Sequence, residues 1–557
     1  MADKNFMTKL KEWYRHITHK DDPHYISGKE ARRISNENRK ATRMYEKKKL
    51  RKVHEAEYTT QMKDDSNILE IENLKTYFFT DAGVSKAVDG VSFEVPKGSV
   101  VGVVGESGCG KSVTSLSVMQ LVQAPQGQIV DGSIRFNTQV YKPDDDGKPI
   151  PVWEYEEKDG QMVVKTEPVL DRKGNPVCDK NGKPLVKRVQ ALDGNGFPAF
   201  VQEDKVYDIA KMPTNVMRRI RGKEIAMIFQ EPMTSLNPLF TIGNQLDEVV
   251  LLHTPGANKA LAKKRTIEML NLVGIAMPES VYKRYPHELS GGMRQRVMIA
   301  MALACNPKLI VADEPTTALD VTIQAQVLEL LKSIKDKING SIMLITHDLG
   351  VIAGMADYVV VMYAGRVIEK GTVEEIFDMP LHPYTVGLQK SKPVINKDVE
   401  WLYSIKGQVP NPINMPKYCY FKDRCEHCTA ECDGEYPHLV KVSPTHSVAC
   451  YRARERMQEF TKLKREKEAE AERAAEAETA AAANADESVA QSSKPDAEKK
   501  PAKKQSAAKK ATASAKTAAV KKSPAAKPKK PAAAAADKSV GEKPAAKRST
   551  ARAKETK

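Results

Sequence analysis

The sequence predicts an α/β fold whose parallel strands carry loops for an anionic ligand at their carboxyl ends. Three observations predict it. The apolar run 100–104 leads into a glycine-rich octet, 105–112, and a helical pattern follows. The run 309–312 leads to Asp313 and Glu314, and the run 342–346 ends at His347. Because ligands of α/β sheets collect at the carboxyl ends of the strands, we expect these side chains to meet at one edge.

The octet Gly105-Glu106-Ser107-Gly108-Cys109-Gly110-Lys111-Ser112 fits the phosphate-loop pattern G-x-x-x-x-G-K-[ST]. Its glycines let backbone N–H groups point into one concavity, which stabilises anionic oxygens together with the helix N-terminus. We expect Lys111 to contact the β- and γ-phosphates of a nucleotide and Ser112 to bind Mg²⁺. The nucleotide-binding residues predicted here are Gly105, Ser107, Gly108, Cys109, Gly110, Lys111, Ser112 and Val113.

Two adjacent carboxylates at a strand end can take two tasks, because neighbouring side chains point to opposite faces. We expect Asp313 to hold the Mg²⁺ shell and Glu314 to orient and deprotonate a water that attacks the γ-phosphorus. His347 would donate to the γ-phosphate. Ser290 stands at a helix N-cap position, and Gly291 and Gly292 leave backbone N–H groups bare for a second anion.

Composition limits the other function classes. The chain has 557 residues, a net charge of +16 and no run of about 18 apolar residues that would span a membrane. Its N-terminus lacks an apolar signal core, so we expect a cytosolic protein. Residues 501–557 carry 17 Lys and Arg against 3 acids, and residues 1–66 carry 17 against 11. The basic character therefore belongs to the two ends, and the nearly neutral body does not predict a nucleic-acid binder.

Residues 1–66 are predicted to form a basic, partly helical extension. An apolar stripe of Phe6, Leu10, Trp13 and Ile17 could lie in a membrane interface or dock on protein. The stretch 29–52 has 11 basic residues against three acidic ones, which indicates a solvated helix or an arm on anionic lipid.

The predicted nucleotide-binding domain, 67–390, contains an insertion at 137–215. Four units share the pattern D-x-x-G-x-P, and they begin at Asp144, Asp171, Asp179 and Asp193. Asp and Gly at this spacing favour tight turns, so we expect a run of β-hairpins on the surface. A calcium loop is the alternative, but its D-x-[DN]-x-[DN]-G pattern is not satisfied.

A Cys-rich region, 391–452, and a charged segment, 453–557, complete the chain. The charged segment is predicted to form an exposed helix to about Ala483. From Ser492 the Lys/Ala/Pro composition offers too little apolar surface to fold, so we expect a disordered basic tail.

The ordered set of phosphate loop, Gln230, 289–292, Asp313-Glu314, Asp320 and His347 resembles the nucleotide-binding subunit of ABC transporters. The resemblance covers about residues 67–452 apart from the insertion. The wording of 228–238, 313–328 and 381–385 is similar to the oligopeptide/dipeptide permease branch, and Thr316-Thr317 is closer to its D-type than to its F-type ATPase.

The resemblance implies a P-loop NTPase core of ABC type, with an antiparallel β subdomain and a helical signature subdomain. It implies a head-to-tail pair of ATPases, with ATP between Lys111 of one and Ser290-Gly291-Gly292 of the other. It assigns Tyr77 to adenine stacking, Asp320 to the nucleotide site, and Gln230 to the catalytic site and the Mg²⁺ shell. The implied partners are a second, F-type ATPase, two membrane permease subunits and, indirectly, an extracytoplasmic peptide-binding protein, at the cytoplasmic face of the bacterial membrane.

The cysteines resemble those of the same branch, where C-x5-C-x6-C and a distant fourth Cys hold a [4Fe-4S] cluster. The corresponding residues are Cys419, Cys425, Cys432 and Cys450. Cys428 is an additional thiol, and four thiolates also suit zinc, which stays an alternative beside unliganded thiols.

We therefore predict an ATP-hydrolysing subunit of a peptide importer. One alternative is an importer of another cargo, such as nickel, opines or sugars, because the ATPase does not touch the cargo. The other is a soluble ABC ATPase acting on nucleic acid or ribosomes, which the basic ends could suit. The single cassette and the turn-rich insertion argue against the latter.

Overall fold

The computed structural model describes residues 26–466, apart from 159, 172–173, 195, 232–234, 318–319, 392–402, 414 and 463–464. The predicted stripe between Phe6 and Ile17 and the basic tail lie outside the described residues, as does the charged segment after 466. In the described part of the chain, no helix is both long and apolar enough to cross a bilayer.

The strands are β1 Thr59–Thr60, β2 Asn67–Thr80, β3 Gly83–Pro96, β4 Val100–Val104, β5 Gly127–Tyr141, β6 Tyr155–Lys158, β7 Gln161–Val164, β8 Thr166–Pro168, β9 Val186–Arg188, β10 Gln202–Asp208, β11 Ile225–Ile228, β12 Leu309–Asp313, β13 Ser341–Thr346, β14 Tyr358–Tyr363, β15 Arg366–Thr372, β16 Val440–Lys441 and β17 Ser447–Val448. The helices are α1 Gly28–Leu50, α2 Glu55–Tyr58, α3 Lys111–Val118, α4 Thr214–Ile220, α5 Ile242–His253, α6 Lys259–Leu272, α7 Pro278–Tyr282, α8 Gly291–Leu303, α9 Val321–Ile338, α10 Leu349–Met355, α11 Val373–Asp378 and α12 Pro383–Lys390.

The central sheet has the order β11-β12-β13-β4-β14-β15-β17-β16. Its first five strands run parallel, and all residues of β4, β11, β12 and β13 are buried. Strands covered on both faces need continuous apolar side chains, which is why these segments lack polar alternation. The parallel arrangement brings the ends of β4, β12 and β13 to one edge, as predicted.

A second, antiparallel sheet has the order β1-β10-β5-β2-β3. Alternating side chains of β2, β3 and β5 form a core with one face of the central sheet and with α3. The other face of the central sheet packs against helices α5 to α10. Two layers thus cover the central sheet, which leaves its carboxyl edge as the place where loops converge.

The predicted bounds of the insertion, 137–215, include part of the antiparallel sheet, because β5 and β10 pair as far as Tyr141 and Gln202. In each D-x-x-G-x-P unit the Gly N–H donates to the Asp carbonyl, for example Gly182 to Asp179 at 3.1 Å. The Asp carboxylate also accepts from the backbone four residues on, as Lys183 N donates to Asp179 Oδ1 at 2.9 Å. Each unit therefore closes as a tight turn.

The turns are joined in a way that the repeat alone does not show. Val177 N donates to Val169 O, Leu185 N to Val177 O and Val169 N to Leu185 O, at 2.7, 2.7 and 2.8 Å. These three residues therefore form a closed ring of backbone hydrogen bonds. Three further rings join Lys142, Ile150 and Val201; Val152, Ala191 and Ala199; and Glu154, Lys165 and Val189. The part of the insertion from Lys142 to Val201 therefore forms a three-sided stalk. The backbone N–H and C=O groups in its rings are hydrogen-bonded to one another.

The stalk touches the helical layer through its last turn. Phe197 is buried against Val250, Ala262 and Ala304, and the guanidinium of Arg265 lies 5.6 Å from its ring centroid. At the N-terminal end, α1 contacts the β2–β3 hairpin, where Asn38 Nδ2 donates to Thr80 O at 2.7 Å. The basic stretch around α1 is therefore helical and rests on the antiparallel sheet.

Candidate active site

The phosphate loop connects β4 to α3, and its glycines adopt a backbone that other residues avoid. Gly108 and Gly110 have φ of 79° and 99°, and a Cβ on Gly110 would lie 2.4 Å from Ala87 O. Lys111 Nζ donates to Gly105 O at 2.8 Å and to Glu106 O at 3.0 Å. The ammonium group of Lys111 is thus hydrogen-bonded to the backbone of its own loop. When a nucleotide binds, the ammonium group can donate to phosphate oxygens instead of these carbonyls.

Asp313 at the end of β12 meets the first turn of α3. Ser112 Oγ donates to Asp313 Oδ1 at 3.0 Å, and Ser115 Oγ donates to Asp313 Oδ2 at 3.1 Å. Burial raises the pKa of Asp313, and the two hydroxyl donors oppose that shift. A hydroxyl and a carboxylate side by side are hard oxygen ligands of the kind that Mg²⁺ prefers, so the donor set fits this ion.

Glu314 directly follows β12 and adopts a φ of 46°, in the left-handed region that residues other than Gly rarely adopt. Gln230 Nε2 and Thr317 Oγ1 donate to its Oε2 at 3.0 and 2.9 Å. His347 Nδ1 lies 3.3 Å from its Oε1. The carboxylate is 14% exposed, so it is held in place and still open to a water molecule.

The signature segment begins α8. Ser290 Oγ accepts from Met293 N at 3.4 Å as the N-cap, and a Cβ on Gly291 would meet no atom within 4 Å. Ser290 and Gly291 are therefore exposed at the start of this helix. Among the described residues, no hydrogen bond or ion pair joins 290–292 to the phosphate loop of the same chain.

Two more residues of the predicted nucleotide site, Tyr77 on β2 and Asp320 before α9, lie outside the contacts described so far. Tyr77 Oη donates to Asp89 Oδ1 at 2.6 Å, and burial followed by this bond raises the pKa of Tyr77. Arg366 Nη2 donates to the other oxygen of Asp89 at 2.8 Å. Asp320 is the exposed N-cap residue of α9, and its side chain makes no capping bond.

The four predicted cysteines, Cys419, Cys425, Cys432 and Cys450, line one cavity of about 20 Å³ with His382 and His427. Burial raises the pKa of Cys419 to about 12 and that of Cys450 to about 11. Within the described residues, no three Cys, His, Asp or Glu side chains are arranged so that they could hold a metal ion as they stand.

Sequence reasoning missed Thr317 and Ser115, which hold Glu314 and Asp313. Thr317 lies in the segment that follows the adjacent carboxylates, and Ser115 lies one helical turn after Ser112, so spacing could have suggested both. It also missed Arg366, for which the sequence offers no local signal.

Two family models match parts of this chain. The ABC transporter family model matches residues 88–169 and 197–317. The model of the oligopeptide/dipeptide transporter C-terminal region matches residues 368–432. The gap in the first match falls within the stalk, which is consistent with an insertion into the cassette.

Three relatives from Bacillus subtilis (strain 168) are similar over 69% of this chain. The oligopeptide transport ATP-binding protein AppD is 45% identical, with 97% of its length covered. The oligopeptide transport ATP-binding protein OppD is 42% identical with 88% covered, and the dipeptide transport ATP-binding protein DppD is 41% identical with 94% covered. The chain therefore has the ABC ATPase cassette fold and belongs to the family of ATP-binding proteins of oligopeptide and dipeptide ABC transporters.

Proposed function

We propose that this protein binds and hydrolyses ATP as a subunit of an ABC importer for oligopeptides or dipeptides. The observation that carries the proposal is the meeting of Ser112, Asp313 and Glu314 at the carboxyl edge of the central sheet. The hydroxyl of Ser112 lies 3.0 Å from Asp313, and Glu314 follows with its carboxylate held by Gln230 and Thr317.

Each side chain has a defined task in this mechanism. Lys111 binds the β- and γ-phosphates, supported by the N–H groups of the loop from Gly105 to Val113. Ser112 and Asp313 would hold Mg²⁺, together with the amide oxygen of Gln230, and the ion would supply positive charge that offsets the charge of the phosphates. Glu314 accepts the proton of the attacking water.

The remaining nucleotide contacts come from outside this core. Tyr77 offers a ring face for adenine, and His347 donates to the γ-phosphate beside Glu314. Ser290, Gly291 and Gly292 of this chain bind the phosphates of the nucleotide held by a second ATPase, whose corresponding segment faces Lys111, and Asp320 lies close to that junction. A complete phosphate cradle already exists in each chain, so a second anion-binding helix start is best used by a partner.

The partners follow from this arrangement. The second ATPase is an F-type paralogue, two permease subunits form the channel, and a peptide-binding protein acts on the far side. The subunit works at the cytoplasmic face of the bacterial membrane, where the basic ends contact anionic lipid. Nickel, opines or sugars are alternative cargoes, because nothing in the ATPase contacts the cargo.

Cys419, Cys425, Cys432 and Cys450 are proposed to hold a [4Fe-4S] cluster, with zinc as the alternative metal. The four thiols line one small cavity, and four soft thiolates suit both metals. A buried thiol with a raised pKa is a poor free thiolate, so metal binding would have to displace these protons.

The test uses the full chain purified with its membrane subunits in lipid vesicles. We expect Mg²⁺-dependent phosphate release that increases when the peptide-loaded binding protein is added. Lys111→Ala should weaken nucleotide binding. Identification of the ligand that co-purifies with the extracytoplasmic binding protein decides the cargo. An absence of ATP hydrolysis would refute the ATPase assignment, and a metal or sugar ligand would refute the peptide assignment alone.

A further inference from the structure

The Cys-rich region is hydrogen-bonded directly to the phosphate loop. Arg424 Nη1 and Nη2 donate to Glu106 Oε2 and Oε1 at 2.7 and 3.0 Å, so the guanidinium binds the carboxylate with both arms. Glu106 is the second residue of the phosphate loop, and Arg424 directly precedes Cys425. The contact thus joins the candidate ATP site to the segment that carries the cysteines. Charge-assisted hydrogen bonds of this two-armed kind are stronger than hydrogen bonds between neutral side chains.

Arg424 is itself held rigidly. Its side chain is 6% exposed, whereas that of Glu106 is 28% exposed. Its Nε donates to Lys406 O at 2.9 Å and its Nη2 to Ile405 O at 3.3 Å. The guanidinium is therefore a fixed cation against which the loop is aligned.

The backbone of Glu106 is held from the same side. Glu106 N donates to Tyr384 Oη at 2.8 Å, and Tyr384 is fully buried. The Tyr384 ring packs against Tyr363 and Phe421, with centroids 4.7 and 5.5 Å apart. Phe421 belongs to the same Cys-rich region as Arg424. The main chain of Glu106 is thus hydrogen-bonded to Tyr384, and its side chain is paired with Arg424, beside the same cluster of aromatic rings.

The negative charge of Glu106 makes its ion pair with Arg424 relevant to nucleotide binding. A carboxylate in a loop that receives polyphosphate repels the ligand unless a cation neutralises it. Arg424 supplies that cation and holds the carboxylate through both oxygens. We propose that Arg424 is a positioning residue of the ATP site, through which the Cys-rich region sets nucleotide affinity. The inference rests on the proposed ATPase function.

A second contact of the same region supports the inference. Arg366, which binds Asp89 beside Tyr77, lies under the rings of Tyr420 and Tyr436, with centroid distances of 5.3 and 4.2 Å. Tyr420 is the neighbour of Cys419 in the chain. The Cys-rich region therefore touches both the phosphate loop and the network around the predicted adenine-stacking residue.

The test measures the Kd of the full-length protein for trinitrophenyl-ATP with Mg²⁺. Arg424→Ala should raise Kd about tenfold, which corresponds to ~1.4 kcal/mol, because it leaves the Glu106 carboxylate unpaired beside the phosphates. Arg424→Lys keeps the charge but loses the two-armed contact, so we expect an increase of about threefold. Glu106→Gln in the Arg424→Ala background should bring Kd back to within about twofold of the parent protein.

The rescue separates positioning from a general structural role, because removing a second partner cannot repair a misfolded region. Arg452→Ala is the matched control, since Arg452 of the same region pairs with Glu455 at 3.0 Å, and it should leave Kd unchanged. Thermal unfolding of each variant reports whether it folds. The inference is wrong if the parent protein binds the analogue and all three variants have the same Kd as the parent. These variants are Arg424→Lys, Arg424→Ala and the double variant. The inference is also wrong if Glu106→Gln fails to restore affinity. A parent that binds no nucleotide would instead refute the proposed function.

Discussion

Replacing Glu314 with Gln tests the proton-transfer step while changing little else. The amide oxygen can still accept from Gln230 and Thr317, which both bind Oε2 of the parent side chain at 3.0 and 2.9 Å. The amide nitrogen then occupies the place of Oε1 and can donate to a neutral His347. The side chain should therefore keep its position and lose only its ability to take a proton.

The size of the effect follows from that loss. General base catalysis contributes about 10²- to 10⁴-fold, or about 2.7 to 5.4 kcal/mol of barrier. The contacts of Lys111 and Ser112 do not involve Glu314, so the Kd for ATP should change by less than about threefold. We expect a protein that binds ATP normally and turns it over at least a hundredfold more slowly.

The assay combines steady-state phosphate release with nucleotide binding on the same preparation. Glu329→Gln is the matched control, because Glu329 is an exposed residue of α9, and it should keep the parental rate. Turnover of the Glu314→Gln variant within about tenfold of the parent would remove Glu314 from the role of base. A parallel loss of ATP affinity would instead indicate a binding role.

Three further predictions concern other parts of the molecule. Burial raises the pKa of the Asp313 carboxyl. The carboxyl therefore stabilises the fold only below the pKa that it has in the unfolded chain. This contribution is lost as the pH rises through its pKa in the folded protein. At pH 7, Asp313→Asn should therefore raise the Tm of the nucleotide-free protein by about 2–4 °C and abolish the effect of Mg²⁺ on ATP binding, which calorimetry would measure. Anaerobically purified protein should contain about four irons per chain, and metal analysis that finds one zinc instead would favour the alternative. Deleting 492–557 should leave ATPase activity intact and weaken binding to anionic vesicles at low salt, an effect that ~0.5 M salt should erase, and equal vesicle binding of both proteins would contradict the lipid role.

The sequence by itself determined the parts of this protein whose physics is local. The octet from Gly105 to Ser112 needs only its own glycines, a strand before it and a helix after it. Each D-x-x-G-x-P turn closes on itself through its Asp carboxylate, as at Asp179. The apolar runs at 100–104 and 309–312 indicate strands buried on both faces. The meeting of Ser112 and Asp313 was predictable as well, because parallel strands end at one edge of the sheet.

Only the tertiary structure decided which distant groups complete these parts. The partners of Glu314, among them Gln230 and His347, come from separate loops, and the two arms of Arg424 reach Glu106 across 318 positions of the chain. The four turns of the insertion could have formed separate hairpins, but their strands close into rings of three. Periodicity and motif spacing describe a segment and its near neighbours, whereas these contacts depend on how the whole chain packs and on which buried polar groups must find a partner.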